Sequence, residues 1–168
     1  NGILWCGTIP GGLFKSEDCG ESWTMVRSLW DLEERRQWMG AGMDYAGIHS
    51  ICVDPRDPGH LTVGVSIGGV YVSHDGGDSW EVKCSGLRAE YMPPDQAEDP
   101  AAQDPHLIAH CVADPDTIWI QHHNGVFVTR NGCDRWEDIS DIDPSTFGFA
   151  VAVHEARQGP GAAVGCGR

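Results

Sequence analysis

Histidines and acidic residues gather where this 168-residue sequence leaves its regular hydrophobic pattern. Asp44 and Asp104 each lie a few residues before an apolar run, and His49 and His106 stand at the start of those runs. A pair of carboxylates can serve as general acid and general base. We therefore take Asp44 and Asp104 as the candidate catalytic pair.

Polar and aromatic residues near these acids are typical of a site for a glycan or a small polar ligand. The polar HHN sequence at 122–124 replaces Ile, Pro and Gly residues of the two equivalent turns, which favours a functional role for it. The candidate ligand-binding residues are Trp38, Tyr45, His49, Tyr91, His106, His122, His123 and Asn124. A structural role explains the histidines equally well, since they can bond backbone carbonyls, and Trp38 could instead pin its loop.

The cysteines and histidines predict no metal site and no cofactor. The histidines at 49, 106, 122 and 123 lack the short-loop or helical spacing of zinc ligands. The seven cysteines are odd in number and form no C-x-x-C pair, so we read them as reduced thiols in a cytoplasmic protein.

The elements that must position these residues recur along the chain. Three similar eight-residue stretches, here called boxes, occur in order: SEDCGESW begins at residue 16, SHDGGDSW at residue 73 and TRNGCDRW at residue 129. Their starts are therefore 57 and 56 residues apart. A period of this size indicates a propeller, a solenoid or another repeat array.

Within each repeat the hydrophobic pattern predicts short strands, labelled A to D in order. In the second repeat they lie at 51–53, 61–65, 70–73 and 79–83, and in the third at 109–113, 117–121, 126–129 and 135–139. The first repeat contains only B, C and D, at 3–7, 13–16 and 22–26. Four antiparallel strands per repeat predict an all-β propeller of four-stranded blades, about three of them in this chain.

We predict one partial propeller domain over residues 1–168. Its repeats span 1–48, 49–106 and 107–148, followed by an orphan innermost strand near 149–154 and a Gly/Ala-rich tail at 155–168. Propellers usually close with about four to eight blades. Two explanations stay open: the chain is an excised piece of a longer protein, or two copies form a homodimer that closes a six-bladed ring.

The boxes resemble the Asp-box, or BNR repeat, of sialidase-like propellers. The matching residues are Ser16, Asp18, Gly20 and Trp23, then Ser73, Asp75, Gly77 and Trp80, and in the third copy Asn131 and Trp136. The resemblance implies a structural role, in which the acid accepts hydrogen bonds from the turn and Trp80 is a buried anchor. Cys133 occupies the usual glycine position, so we expect strain or a changed turn there.

The resemblance leaves several functions open. Sialidases of this fold carry an R-I-P motif and three arginines against the substrate carboxylate; the motif is absent and the arginines are scattered, so sialidase activity is not expected. We predict a binding or scaffold module for a glycan or small polar ligand. The alternative that the resemblance implies is a glycoside hydrolase, with Asp44 and Asp104 as the acid and base on either side of the glycosidic bond. The predicted site lies on the face of the B–C turns and of the long connections 27–48 and 85–107.

Charge and hydropathy narrow the choice of partners. The formal net charge is −14, which repels the phosphates of nucleic acids and anionic lipid surfaces. No apolar run approaches the length of a membrane span. We therefore predict neither nucleic acid nor membrane as a partner.

Overall fold

The computed structural model describes residues 2–40, 42–141 and 145–154, and they form three antiparallel sheets that follow one another along the chain. The first sheet contains β1 (Leu4–Gly7), β2 (Leu13–Ser16) and β3 (Thr24–Met25). The second contains β4 (Ile48–Val53), β5 (Leu61–Val65), β6 (Gly69–Ser73) and β7 (Glu81–Val82). The third contains β8 (Pro105–Cys111), β9 (Asp114–His122), β10 (Gly125–Thr129) and β11 (Glu137–Asp138). The predicted all-β class is confirmed.

The sheets pack face to face through two apolar cores. The middle strands β5, β6 and β10 are buried along their whole length, as their runs of Val, Leu and Phe require. One core lies between the first and second sheets and includes Leu13 and Tyr71, and the other lies between the second and third and includes Phe127 and Trp136. Each fully buried large side chain contributes about 1.5–3 kcal/mol to folding, so the cores fix the positions of the neighbouring sheets.

Two predicted features differ from the structure. The last strand of each sheet, predicted as five residues, is only two residues long, since the box turn extends up to the tryptophan. Residues 149–154, predicted as an orphan innermost strand, form no strand. None of the described sheets includes this segment, although Cys111 Sγ donates to His154 O at 3.5 Å. The tail at 155–168 lies outside the described residues.

The long connections are held by local hydrogen bonds. In the first, a short helix α1 (Arg27–Trp30) precedes a 3-10 turn (Glu34–Gln37). In the second, a 3-10 turn (Pro100–Ala102) is capped by Asp99, whose Oδ1 accepts from Ala101 N at 2.9 Å. No helix within the described ranges is long and apolar enough to span a membrane.

The turns lie on two opposite faces. Gly76 N in a box turn donates to Gly59 O in the β4–β5 turn at 2.9 Å, so these turns share the face that we call the box side. On the other face, the loop side, the β5–β6 turn meets both connections: Met39 N donates to Ile67 O at 2.9 Å and Gly69 N to Gln103 O at 3.0 Å. The long connections are thus anchored to the turn between them.

Candidate functional site

The first two boxes form the same hydrogen-bonded turn. Asp75 Oδ1 accepts from Ser73 Oγ and from Ser79 N, both at 2.8 Å, and Asp75 Oδ2 accepts from Ser79 Oγ at 2.6 Å. Gly77 N donates to Ser73 Oγ at 2.9 Å, with Gly77 in the left-handed region at φ 92°. The hydrogen bonds from Ser79 lower the pKa of Asp75 to about 2, and Asp18 makes the equivalent contacts in the first box. The hydrogen bonds of both carboxylates therefore lie within their own turns.

The third box keeps the turn with different residues. Asn131 Oδ1 accepts from Thr129 Oγ1 at 2.7 Å and from Arg135 N at 3.2 Å. Cys133 takes the left-handed conformation of the glycine it replaces, at φ 73°, and its N–H donates to Thr129 Oγ1 at 3.3 Å. The turn is therefore retained at the cost of a non-glycine residue in a disfavoured backbone region.

The box tryptophans differ in burial along the chain. Trp136 is fully buried, whereas Trp80, expected to be a buried anchor, is only partly buried and donates from Nε1 to Ser28 Oγ at 3.1 Å. Trp23 is 44% exposed. The difference follows from position, because Trp80 and Trp136 contact the sheet before their own.

The loop side contains a groove with a volume of about 240 Å³. Its lining residues are Ile9, Met43, Tyr45, His49, Ser66, His106 and Phe149. The groove thus brings together three of the predicted ligand-binding residues, Tyr45, His49 and His106. Asp44 is exposed and lies in the chain between two lining residues, so this candidate acid is next to the groove.

Asp104 lies in a cluster of histidines beside the groove. Its side chain is fully buried, and Oδ2 lies 3.2 Å from His106 Nε2 and 3.3 Å from His123 Nδ1. Burial opposes ionisation of Asp104, but the hydrogen bond and charge of His106 outweigh it and the pKa of Asp104 is lowered. The pKa of His106 is raised, because Asp104 accepts its hydrogen bond. Asp104 therefore contacts imidazoles rather than solvent.

The other predicted ligand-binding residues make structural contacts. His122 is fully buried, its Nε2 accepts from Asp104 N at 3.0 Å, and burial lowers its pKa to about 4. Trp38 donates from Nε1 to Tyr71 Oη at 2.8 Å, so it pins the first connection to the core. Asn124 Oδ1 accepts from Glu90 N at 3.2 Å.

An aromatic wall surrounds the exposed part of the histidine cluster. The Tyr91 hydroxyl donates to Ala102 O, and its ring lies 4.8 Å from that of His123. Phe149, 70% exposed, stacks on His106 with ring centroids 4.9 Å apart, and Phe147 lies 5.1 Å from the His123 ring. Both phenylalanines were missed at the sequence level, since Phe149 was assigned to the predicted strand at 149–154 and Phe147 to the end of the third repeat. The signal was two aromatic residues after the third box.

The arginines lie away from the groove. No arginine is among the described residues that line it. On the box side, Arg56 joins Asp54 and Asp116, each at 2.6 Å. Arg35 stacks over Trp30 at 3.4 Å from the ring centroid. The arrangement lacks the arginine cluster that a sialidase needs, within the described part of the chain.

Solved structures share this arrangement of sheets. The GH74 enzyme of Niastella koreensis superposes with a TM-score of 0.58 over 90% of this chain and 22% of its own, at 16% sequence identity. The chain has the fold of a partial β-propeller. The structure of YCF48 bound to D1 peptide matches with a TM-score of 0.53 over 86% of this propeller chain and 37% of its own, at 12% identity. We therefore call the three sheets blades.

Sequence comparison relates this propeller to glycosidases. No protein-family model matches the chain. The oligoxyloglucan-reducing end-specific xyloglucanase of Emericella nidulans is 26% identical over 160 residues, which cover 86% of this chain. The chain spans 18% of the length of that curated relative. These similarities support a glycosidase-like propeller and do not single out the sialidase-like family.

Proposed function

We propose that this chain is part of a propeller of glycoside-hydrolase type whose loop-side groove binds a β-glucan of the xyloglucan class. The observation that carries the proposal is the groove itself, in which Tyr45, His49 and His106 face one open cavity. Aromatic faces and a few polar groups are typical of ligand pockets. The similarity to a xyloglucanase supports a glucan as the ligand.

Hydrolysis of a glycosidic bond needs a proton donor and a base on opposite sides of it. Asp44 is exposed beside the groove, which suits a carboxylate that acts on the sugar directly. Asp104 reaches the groove only through His106, which lines it. We assign Asp44 the role of a catalytic carboxylate and Asp104 that of a positioning residue acting through His106.

A binding module without catalysis is the second candidate. Among the described residues that line the groove there is no carboxylate, which favours ligand binding over bond cleavage. A propeller of the same fold, YCF48, has been solved bound to D1 peptide, so the fold also serves recognition. In this alternative the groove binds a glycan and leaves it intact.

The test measures binding and cleavage separately. The full chain is titrated with xyloglucan oligosaccharides by calorimetry, and the same mixtures are analysed for new reducing ends by chromatography. We expect Tyr45→Ala to weaken binding about tenfold, equivalent to about 1.4 kcal/mol, while Glu17→Gln on the box side leaves binding unchanged. Loss of cleavage with retained binding in Asp44→Asn supports the hydrolase.

The outcomes separate the two candidates. Binding without cleavage by the unmodified chain supports the module and overturns the hydrolase for this chain. If no oligosaccharide binds, or if Tyr45→Ala binds as tightly as the unmodified chain, the groove is not the glycan site and both candidates fail.

A further inference from the structure

We propose that Asp104, His106 and His123 form a divalent-cation site, suited to Zn²⁺, with an open coordination position on the loop side. One oxygen and two imidazole nitrogens are a common donor set for zinc, and sites with three protein ligands leave a position for water or substrate. The proposal differs from the expectation drawn from the sequence, in which the histidines alone showed no ligand spacing. It does not depend on the nature of the glycan.

The distances match those between ligands of one metal ion. Asp104 Oδ2 lies 3.2 Å from His106 Nε2 and 3.3 Å from His123 Nδ1. Zinc–ligand bonds of about 2.0–2.1 Å at tetrahedral angles separate neighbouring ligand atoms by about 3.3 Å. One ligand atom from each of the three residues lies within 4.8 Å of the others, so only small side-chain rotations would complete the site.

The hydrogen bonds around His106 set the nitrogen that would bind the metal. His106 Nδ1 lies 2.6 Å from the backbone oxygen of Gly148. Since a carbonyl oxygen only accepts, Nδ1 carries the proton, and in the neutral ring Nε2 presents its lone pair towards Asp104. Histidine ligands of zinc commonly donate their second N–H to a carbonyl in this way.

Asp104 and His123 are held by backbone groups of the second and third blades. Asp104 Oδ1 accepts from Ile67 N at 3.3 Å, which turns Oδ2 towards the two imidazoles. Asp104 O accepts from His123 N at 3.0 Å, so the two residues are tied directly to each other. The buried His122 is no ligand here, since its Nε2 accepts from Asp104 N. Rigid elements therefore preorganise the donor set.

The site faces the loop-side groove. His106 lines the groove, and the side chain of His123 is 41% exposed. A cation held by these two residues and by the buried Asp104 would have its remaining positions on that side. Ligands of the matching chemistry are water and oxygen donors such as vicinal hydroxyl groups or a carboxylate.

The same contacts have a metal-free explanation. A protonated His106 can donate to Asp104, and His123 can do the same, which gives a buried ion pair that zinc could enter only by displacing the protons. The two explanations predict opposite results in a metal titration, because only a site with available nitrogen lone pairs binds zinc.

The experiment uses the untagged full chain, freed of metal with a chelator that is then removed. Zinc chloride is titrated by calorimetry, and we expect one Zn²⁺ per chain. His106→Gln and His123→Gln should each weaken the affinity about 10- to 100-fold or more. His49→Gln is the matched control, because His49 lines the same groove outside the cluster, and it should leave the affinity unchanged.

Cobalt substitution identifies the donor atoms. Co²⁺ at the proposed site should give visible d–d absorption without the intense near-ultraviolet band of thiolate coordination, which would instead indicate binding by cysteines. If a variant fails to fold, the unmodified chain still decides the matter through this spectrum and through a zinc-dependent rise in its melting temperature. The proposal is overturned if zinc does not bind, if thiolates bind it, or if folded His106→Gln and His123→Gln retain full affinity.

Discussion

Trp136 donates its indole hydrogen from Nε1 to the backbone oxygen of Lys83 at 2.8 Å. The bond runs from the box of the third blade to the end of β7 in the second. Trp136 N also donates to Ser85 O at 2.8 Å, so main chain and side chain both join these blades. The box tryptophan is therefore a connector between blades as well as a part of its own turn.

Replacing this connector should cost much of the stability of the domain. Trp136→Ala removes a fully buried indole, and we expect a loss of about 3–5 kcal/mol in the free energy of unfolding, measured by urea denaturation. Trp23→Ala is the control, because Trp23 is 44% exposed and should change stability by about 0.5 kcal/mol or less. A large loss for Trp23→Ala would contradict this and show that another blade or a second copy covers that edge in solution.

Acid should weaken the ion pairs of Arg56, which contacts Asp54 in its own blade and Asp116 in the next. The hydrogen bond from Arg56 lowers the pKa of Asp54 to about 2, against about 3.9 in the unfolded chain. Asp54 thus contributes stability that is complete above pH 4 and is lost as the pH falls towards 2. In Arg56→Gln the pKa of Asp54 should rise, so stability should depend less steeply on pH in this range.

The measurement is urea denaturation between pH 2.5 and 5. Arg88→Gln is the control, since Arg88 pairs with Glu98 at the surface at 3.3 Å. Arg56 also pairs with Asp116 and lowers its pKa, so the difference between the two variants reports on Arg56 through both carboxylates. Equal pH profiles for Arg56→Gln and the unmodified chain would contradict the assigned cause of the shift.

The backbone of the boxes allows a direct test of strain. Cys19 has φ 60°, in the left-handed region, where the equivalent residues of the other boxes are Gly76 and Gly132. Cys19→Gly should therefore raise stability by about 1 kcal/mol, and Gly76→Ala, at φ 71° with no heavy atom within 4 Å of the added methyl, should lower it by about 1 kcal/mol. Thermal unfolding of both variants checks this, and an unchanged Gly76→Ala protein would contradict it.

The sequence predicted the strands well where hydrophobic pattern and turn chemistry agree. β5 was predicted at its observed residues, 61–65, because a buried apolar run lies between two turns rich in Gly, Pro and Asp. The segment 149–154 has the same apolar character, but it belongs to none of the described sheets and forms no strand. Local pattern specifies a strand only when the rest of the chain supplies its neighbour.

The sequence predicted only part of the candidate site, because some of its contacts depend on how distant segments of the chain pack together. Grouping residues by face brought Tyr45, His49 and His106 together, since strand direction alone places them on the loop side. The contact between Asp104 and His123 could not be predicted, because it depends on how the second connection folds against the third blade. Asp104 was interpreted as an exposed catalytic acid, whereas the structure buries it against two imidazoles.

In the third box, Asn131 and Arg135 stand where the other two boxes have Asp and Ser. Mutations can test whether these two replacements are energetically coupled. Asp75 uses both carboxylate oxygens, the second of them for the hydroxyl of Ser79, whereas Asn131 has one acceptor oxygen and stands opposite Arg135, which has no hydroxyl. Asn131→Asp alone should therefore change stability little, since its new oxygen meets no hydroxyl.

The double variant Asn131→Asp, Arg135→Ser should rebuild the missing hydrogen bond. We expect it to exceed the sum of the two single variants by about 0.5–1 kcal/mol in the free energy of unfolding, the usual net value of such a bond. A double-mutant cycle by urea denaturation measures this coupling. Strictly additive effects would mean that the second oxygen contributes nothing to the turn, and that the Asp75–Ser79 pair owes its stability to the bond from Ser79 N alone.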